Sequence, residues 1–231
     1  MLTLSGKKAL IELLDMREDL PESGLYPFLM GDEDALEIST ENFELNEEFS
    51  VSEIIENSKI INLTDFFEEG KAAAMPIDDA EFNKDELIGR YQHIDSNQDA
   101  GLHWKELIMS HHDILTKIPF EKCYFGIVKT TQSWEVPAFV RFGNWNSCPS
   151  PAEHCAVFRH WQEKYGAEIL SITDDVIECC VTKPPQTEDE CWELAWEQYG
   201  YCPDIVDQGV GTIGALASSL RDSSYWYFWW D

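Results

Sequence analysis

Apolar residues are arranged differently on the two sides of residue 120. Beyond it, the segments "KCYFGIVKT" (122–130) and "VPAFVRF" (136–142) are rich in aromatic and β-branched residues and predict two strands. "SPAEHCAVFRHWQEKYG" predicts a helix, with Ser150 as N-cap, Pro151 at the first helical position, Glu153 closing a capping box and Gly166 as the stop. "AEILSIT" and "DVIECCVT" predict two strands hinged at Asp174 and Asp175. "TEDE" at 187–190 opens a second helix running to Gly200, and Ile213, Leu216, Ala217 and Leu220 carry the spacing of a third. The chain closes on "SSYWYFWWD", six consecutive aromatics that predict a strand buried on both faces in the interior of the sheet.

The predicted order is β-β-α-β-β-α-α-β, an α+β or α/β fold with helices packed on a mixed sheet. Before residue 120, acidic stretches such as "GDEDALEISTENFELNEEF" alternate with short apolar ones, and "LSGKKALIELLDMREDL" predicts an amphipathic helix opening near Ser5. The expected organisation is a partly folded acidic region over 1–119 and an α/β core over 120–231.

Charge narrows the function. Sixteen basic residues stand against 44 acidic ones, giving −28 over 231 residues. That disfavours the phosphates of nucleic acids and anionic membrane surfaces, and suits a basic protein partner. No run approaches the length of a membrane span, so a cytoplasmic protein is expected. Seven cysteines without CxxC spacing predict reduced, buried thiols, not a zinc site.

Three patterns resemble chemistry. "DSNQDAGLHWKE" (95–106) places Asp95, Asn97, Asp99 and Glu106 at calcium-loop positions, but Ala100 stands where the turn needs Gly. A solvated turn is favoured over a metal site. "GVGTIG" (209–214) spells a dinucleotide fingerprint, but the strand that should precede it is crowded by Pro203, Asp204 and Asp207. A glycine-rich turn is favoured, and no cofactor is expected. His154 shares helical spacing with Phe158, Trp161 and Tyr165, so it predicts a packing histidine.

The blocks "FGNWNSCPSPAEH", "QYGYCPDIVDQGVGT" and "SSYWYFWWD" together resemble the C-terminal signature of the domain of unknown function 4253 family, found mainly in bacteria. The resemblance covers roughly residues 120–231. It implies a domain boundary and a class of protein. The family brings no established activity, so no mechanism comes with it.

Within these blocks, Asn144, Trp145 and Asn146 precede a helix cap, and Asp204, Asp207 and Gln208 lie between two helices. With Trp229 of the tail they are the candidate ligand-binding residues, against the alternative of local turn bonding. The favoured function is an acidic interaction or binding protein, of accessory or immunity type, without identified catalysis. One alternative is an enzyme acting on a small polar ligand between the 144–146 and 204–208 loops. A second alternative is calcium binding at 95–106.

Overall fold

The computed structural model describes residues 2–75, 82–93 and 104–231. One six-stranded sheet organises them. Its strands are β1 (Leu2–Leu4), β2 (Tyr26–Leu29), β3 (Cys123–Val128), β4 (Ala167–Ile172), β5 (Val176–Val181) and β6 (Tyr225–Trp229). Their spatial order is β1-β3-β2-β4-β5-β6. Only β2 and β4 run parallel, meeting at the pair Leu29 and Ser171; every other pair is antiparallel.

The helices before residue 120 are α1 (Gly6–Glu18), α2 (Leu20–Ser23), α3 (Glu33–Leu45), α4 (Val51–Ser58), α5 (Leu63–Ala74), α6 (Lys84–Ile88) and α7 (Trp104–Leu107). Those after it are α8 (Val136–Val140), α9 (Pro151–Tyr165), α10 (Glu188–Tyr201) and α11 (Ile213–Leu220). A single π-helical turn covers Ile205–Val210. The mixed sheet with packed helices is the expected α+β class. Among the described residues, no helix is long and apolar enough to cross a membrane.

Local signals decide most of these boundaries. Both capping boxes form, Ser150 with Glu153 and Thr187 with Glu190, and each satisfies otherwise orphaned helix N–H groups. Gly166 ends α9 in the left-handed region, and Thr212 caps α11 by accepting from Ala215 N. Ser5 is the N-cap residue of α1.

The strand read at 136–142 is a correction. Val136–Val140 form α8, with Arg141 as its C-cap, preceded by a 3-10 turn at Ser133–Glu135. Pro137 sits in the first turn of α8, where a missing N–H costs nothing. Burial supplies the rest, since Val136, Pro137 and Ala138 are all covered. The β-branched composition therefore reports a buried position here, not a strand.

The tail is a second correction. β6 is the edge strand beyond β5, and its burial alternates. Trp226 and Phe228, with Trp230 just beyond the strand, are buried on one face, while Tyr225, Tyr227 and Trp229 are half-buried on the other. The aromatic run fits one helix-covered face and one partly open face.

Two cores flank the sheet. On one face α9, α10 and α11 bury Phe158, Trp161, Tyr199, Tyr201, Leu216, Trp226 and Phe228. On the other, α1 buries Ala9 and Leu13 against Leu29, Phe125, Leu170 and Cys180. The adjacent Cys179 and Cys180 point into opposite cores, as strand alternation requires. All seven cysteines are buried free thiols.

The sheet crosses residue 120. β1 and β2 come from the acidic half, and β2 lies between β3 and β4 of the other half. Helix α5 also packs on α10, and a Cβ on Gly70 would stand 1.9 Å from Gly200 O, so only glycine permits that approach.

Candidate functional site

The two polar loops singled out in the sequence meet at the end of the chain. Asn146 donates from Nδ2 to Asp231 O at 3.0 Å, and Asp231 N donates to Asp204 Oδ2 at 3.1 Å. Gln208 Nε2 donates to Asp204 Oδ1 at 3.0 Å. Tyr199 OH donates to Asp207 Oδ1 at 3.4 Å. Asn144 turns the other way and donates to Asn46 Oδ1 at 2.5 Å. Asn46, the C-cap residue of α3, is buried and donates to Arg141 O and Gly143 O, tying the end of that helix to this loop. Trp145 packs its ring edge-on against Phe142. These side chains join the 144–146 loop, the 204–208 turn and the chain end into a clasp around β6.

Inside the clasp lies a group not recognisable in the sequence. His154 is buried, with Nδ1 2.7 Å from Tyr201 OH and Nε2 3.4 Å from Cys148 Sγ. A cysteine, a histidine and an orienting third group are the parts of an activated nucleophile. The electrostatics run the opposite way. Burial pushes His154 down to about 3 and the Cys148 thiol far up, so both stay neutral. The rings of Phe142, Tyr201 and Trp230 surround the imidazole edge-on. It is the packing histidine that its helical spacing implied.

The open concavity lies at the ends of the parallel strands β2 and β4, with a volume of about 550 Å³. Parallel sheets place ligands beyond their strand carboxyl ends, and β2 and β4 are the one parallel pair of this sheet. Gly31, Asp32 and Ala35 at the start of α3 form one wall, and the Thr173–Asp174–Asp175 hairpin turn forms a second. Met109, Ser110, His112, Asp113 and Ile114 form a third, and Tyr227 and Trp229 supply aromatic faces from the open side of β6. Trp229 is thus the one sequence candidate that lines this groove.

Each wall is fixed by a specific bond. Asp32 caps α3 by accepting from Ala35 N at 3.1 Å. Glu178, buried on β5, accepts from Met109 N at 2.6 Å, Ser110 N at 3.0 Å, Ser110 Oγ and Tyr225 OH. Burial pushes its carboxyl up, and the four donors oppose that shift. Asp113 accepts from Leu115 N at 3.1 Å, Thr116 N at 2.6 Å and Thr116 Oγ1 at 2.7 Å. That holds the 113–118 turn rigid while Leu115, Ile118 and Ile114 remain 88%, 64% and 50% exposed.

Electrostatically, the groove is predominantly acidic, with Lys117 Nζ at its wall 3.9 Å from Met109 Sδ. Asp32, Asp113, Asp174 and Asp175 are half-buried, and none of them forms an ion pair among the described residues. Burial first, and Asp174 second, push Asp175 up to about 6. Burial and nearby Lys117 push His112 down, so it adds no positive charge near neutral pH. Among the described residues, no group of three or more His, Cys, Asp or Glu is placed to hold a metal ion. Of the calcium-loop candidates, Asp95, Asn97 and Asp99 lie outside the described residues, and Glu106 is exposed on α7.

Residues 124–231 match the family described as Domain of unknown function (DUF4253). The DUF4253 match contains the clasp, the His154 cluster, the hairpin at Asp174 and Asp175, and the aromatic strand. Asp32 and Asp113 of the groove come from outside it. No curated protein and no solved structure matches the chain.

In the sequence, Asp174 and Asp175 mark a hinge between two strands, and nothing distinguishes Asp32, Asp113 or Tyr227. Their pairing depends on β2 entering the sheet beside β4, which no local pattern announces. The one available signal was the aspartate pair directly after an apolar strand.

Proposed function

We propose that this chain is a binding protein whose acidic groove receives cationic side chains of a basic protein partner. The observation that carries this reading is the set Asp32, Asp113, Asp174 and Asp175, uncompensated by any ion pair among the described residues, in one groove with Tyr227 and Trp229. Carboxylates attract Lys or Arg, and aromatic faces add cation–π attraction of about 0.5–2 kcal/mol. The rigid 113–118 turn offers Ile114, Leu115 and Ile118 beside the groove for apolar contact. The overall charge of −28 speeds encounter with a basic partner. An accessory or immunity-type protein that neutralises such a partner is the concrete form of this reading.

The test is affinity capture from the native cell, comparing the parent chain with a variant carrying Asp174→Asn, Asp175→Asn and Trp229→Ala. A basic protein identified by mass spectrometry with the parent and lost with the variant supports the reading. Capture of the same proteins by both chains contradicts it.

A further inference from the structure

A second, smaller cavity of about 270 Å³ shares the Thr173–Asp174 wall with the groove. It is smaller than the roughly 300–1,000 Å³ typical of drug-sized ligand pockets. Helix α3 supplies Leu36 and Phe43 to its lining, α8 supplies Phe139, and Phe142 follows that helix. Met30, directly after β2, and Ile172, the last residue of β4, place the cavity at the ends of the parallel strands. Such a lining accepts a small apolar body.

Charge sets what such a body must carry. Among the described residues that line the cavity, Asp174 alone is charged. It is half-buried, and its carboxylate takes part in no ion pair among the described residues. A half-buried carboxylate has lost part of its hydration and gains from a cation that brings N–H donors. The lining supplies no such cation. Arg141 stacks 4.3 Å from the centre of the Phe43 ring but is not itself a lining residue.

The turn that carries Asp174 is built without its side chain. Thr173 N donates to Val176 O at 3.0 Å, Asn42 Nδ2 donates to Asp174 O at 3.4 Å, and Trp230 N donates to Asp175 O at 3.2 Å. Backbone groups of three successive residues thus hold the hairpin to itself, to α3 and to the chain end. Aspartates in turns commonly bond the local backbone, and here those bonds are made by main-chain oxygens instead. The Asp174 carboxylate is left for a ligand.

We propose that this cavity binds a small primary amine with an apolar body, its ammonium on the Asp174 carboxylate and its body among Leu36, Phe43, Phe139 and Phe142. One unpaired carboxylate beside an otherwise uncharged, mainly apolar lining specifies one ammonium on one apolar body. Asp174 also borders the acidic groove, but the phenylalanines and Leu36 line this cavity and not the groove. The inference therefore does not depend on the basic-partner reading.

The test is calorimetric titration of the full chain at pH 7 with 2-phenylethylamine, which is protonated there as a lysine side chain is. The uncharged probe is 2-phenylethanol. Saturable one-to-one binding of the amine is expected, with the alcohol at least about tenfold weaker, because a charge-assisted hydrogen bond is lost. Asp174→Asn, which keeps the shape of the side chain, should weaken the amine at least about tenfold and leave the alcohol within about threefold. Leu36→Trp, which fills the cavity without changing the net charge, should abolish binding of the amine. Glu188→Gln, which removes one negative charge at the start of α10, should leave it unchanged. If Leu36→Trp fails to melt cooperatively, the Asp174→Asn and Glu188→Gln pair decides. The proposal is overturned if the amine does not bind saturably, if 2-phenylethanol binds as tightly, if Asp174→Asn or a folded Leu36→Trp binds the amine like the parent, or if Glu188→Gln weakens it as much as Asp174→Asn.

Discussion

His154 shows what one buried residue does for this fold. It joins α9, the C-terminal end of α10 through Tyr201, and the loop bearing Cys148. Its neutral form is the one that the fold holds, with the folded value near 3 against about 6.5 in an unfolded chain. The contribution is therefore complete above about pH 6.5 and is lost as pH falls from there toward 3, at up to about 1.4 kcal/mol per pH unit. His154→Phe removes that dependence and leaves Tyr201 without its partner. Urea unfolding at pH 7 and pH 5 should show the parent losing its advantage over His154→Phe on acidification. A constant difference between the two pH values contradicts the assignment. The histidine's burial was legible from its helical spacing with Phe158, Trp161 and Tyr165. Its neighbour Cys148 was not, because the 143–149 loop that delivers it carries no periodic pattern.

Among the elements, β6 has the clearest consequences. Trp226 and Phe228 face the helices, whereas Tyr227 faces the groove. Trp226→Ala or Phe228→Ala should cost about 3–5 kcal/mol in denaturant unfolding, as expected for buried aromatics. Tyr227→Ala should cost clearly less and act on binding. Equal costs for all three would mean that both faces are packed alike. Six consecutive aromatics favour a strand, and a strand is what forms over Tyr225–Trp229. They do not show that the strand is an edge, because composition reports burial and not the identity of neighbours. The same limit explains α8, where Pro137 in the first turn is the informative residue and the β-branched neighbours report only burial. Helix α9 was legible because N-cap, capping box and apolar spacing agree residue by residue, α10 through its capping box, and α11 through its apolar spacing alone.

At the scale of the whole molecule, the division at residue 120 is compositional. β2 stands between β3 and β4, so residues 121–231 alone would leave those two strands without the neighbour they share. Unpaired strand edges and the uncovered face opposite α1 favour aggregation. Expressed alone, 121–231 should be insoluble or lack a cooperative melt, and supplying 1–120 in the same cell should restore solubility. A fragment that melts cooperatively at the parent's temperature contradicts this. β1 and β2 escaped sequence reasoning because strands of three and four residues are too short to display alternation. Only their distant partners define them. The groove was illegible for the same reason, since Asp32, Asp113, Asp174 and Trp229 become neighbours only through that strand order.

The most direct test of the binding account balances charge against position. Two double variants each remove two negative charges, one in the groove (Asp174→Asn with Asp175→Asn) and one at the start of α10 (Glu188→Gln with Asp189→Asn). Each chain is titrated calorimetrically with a dodecapeptide of alternating Lys and Leu at pH 5 and pH 8. The account predicts tighter binding by the parent at pH 8, because Asp175 ionises through about 6. It also predicts a loss of at least about tenfold for the groove pair and a change of less than about threefold for the α10 pair, since exposed charges beyond the Debye length are screened. Equal losses for the two pairs would show that the peptide reads net charge alone, and would contradict a binding groove at the ends of β2 and β4.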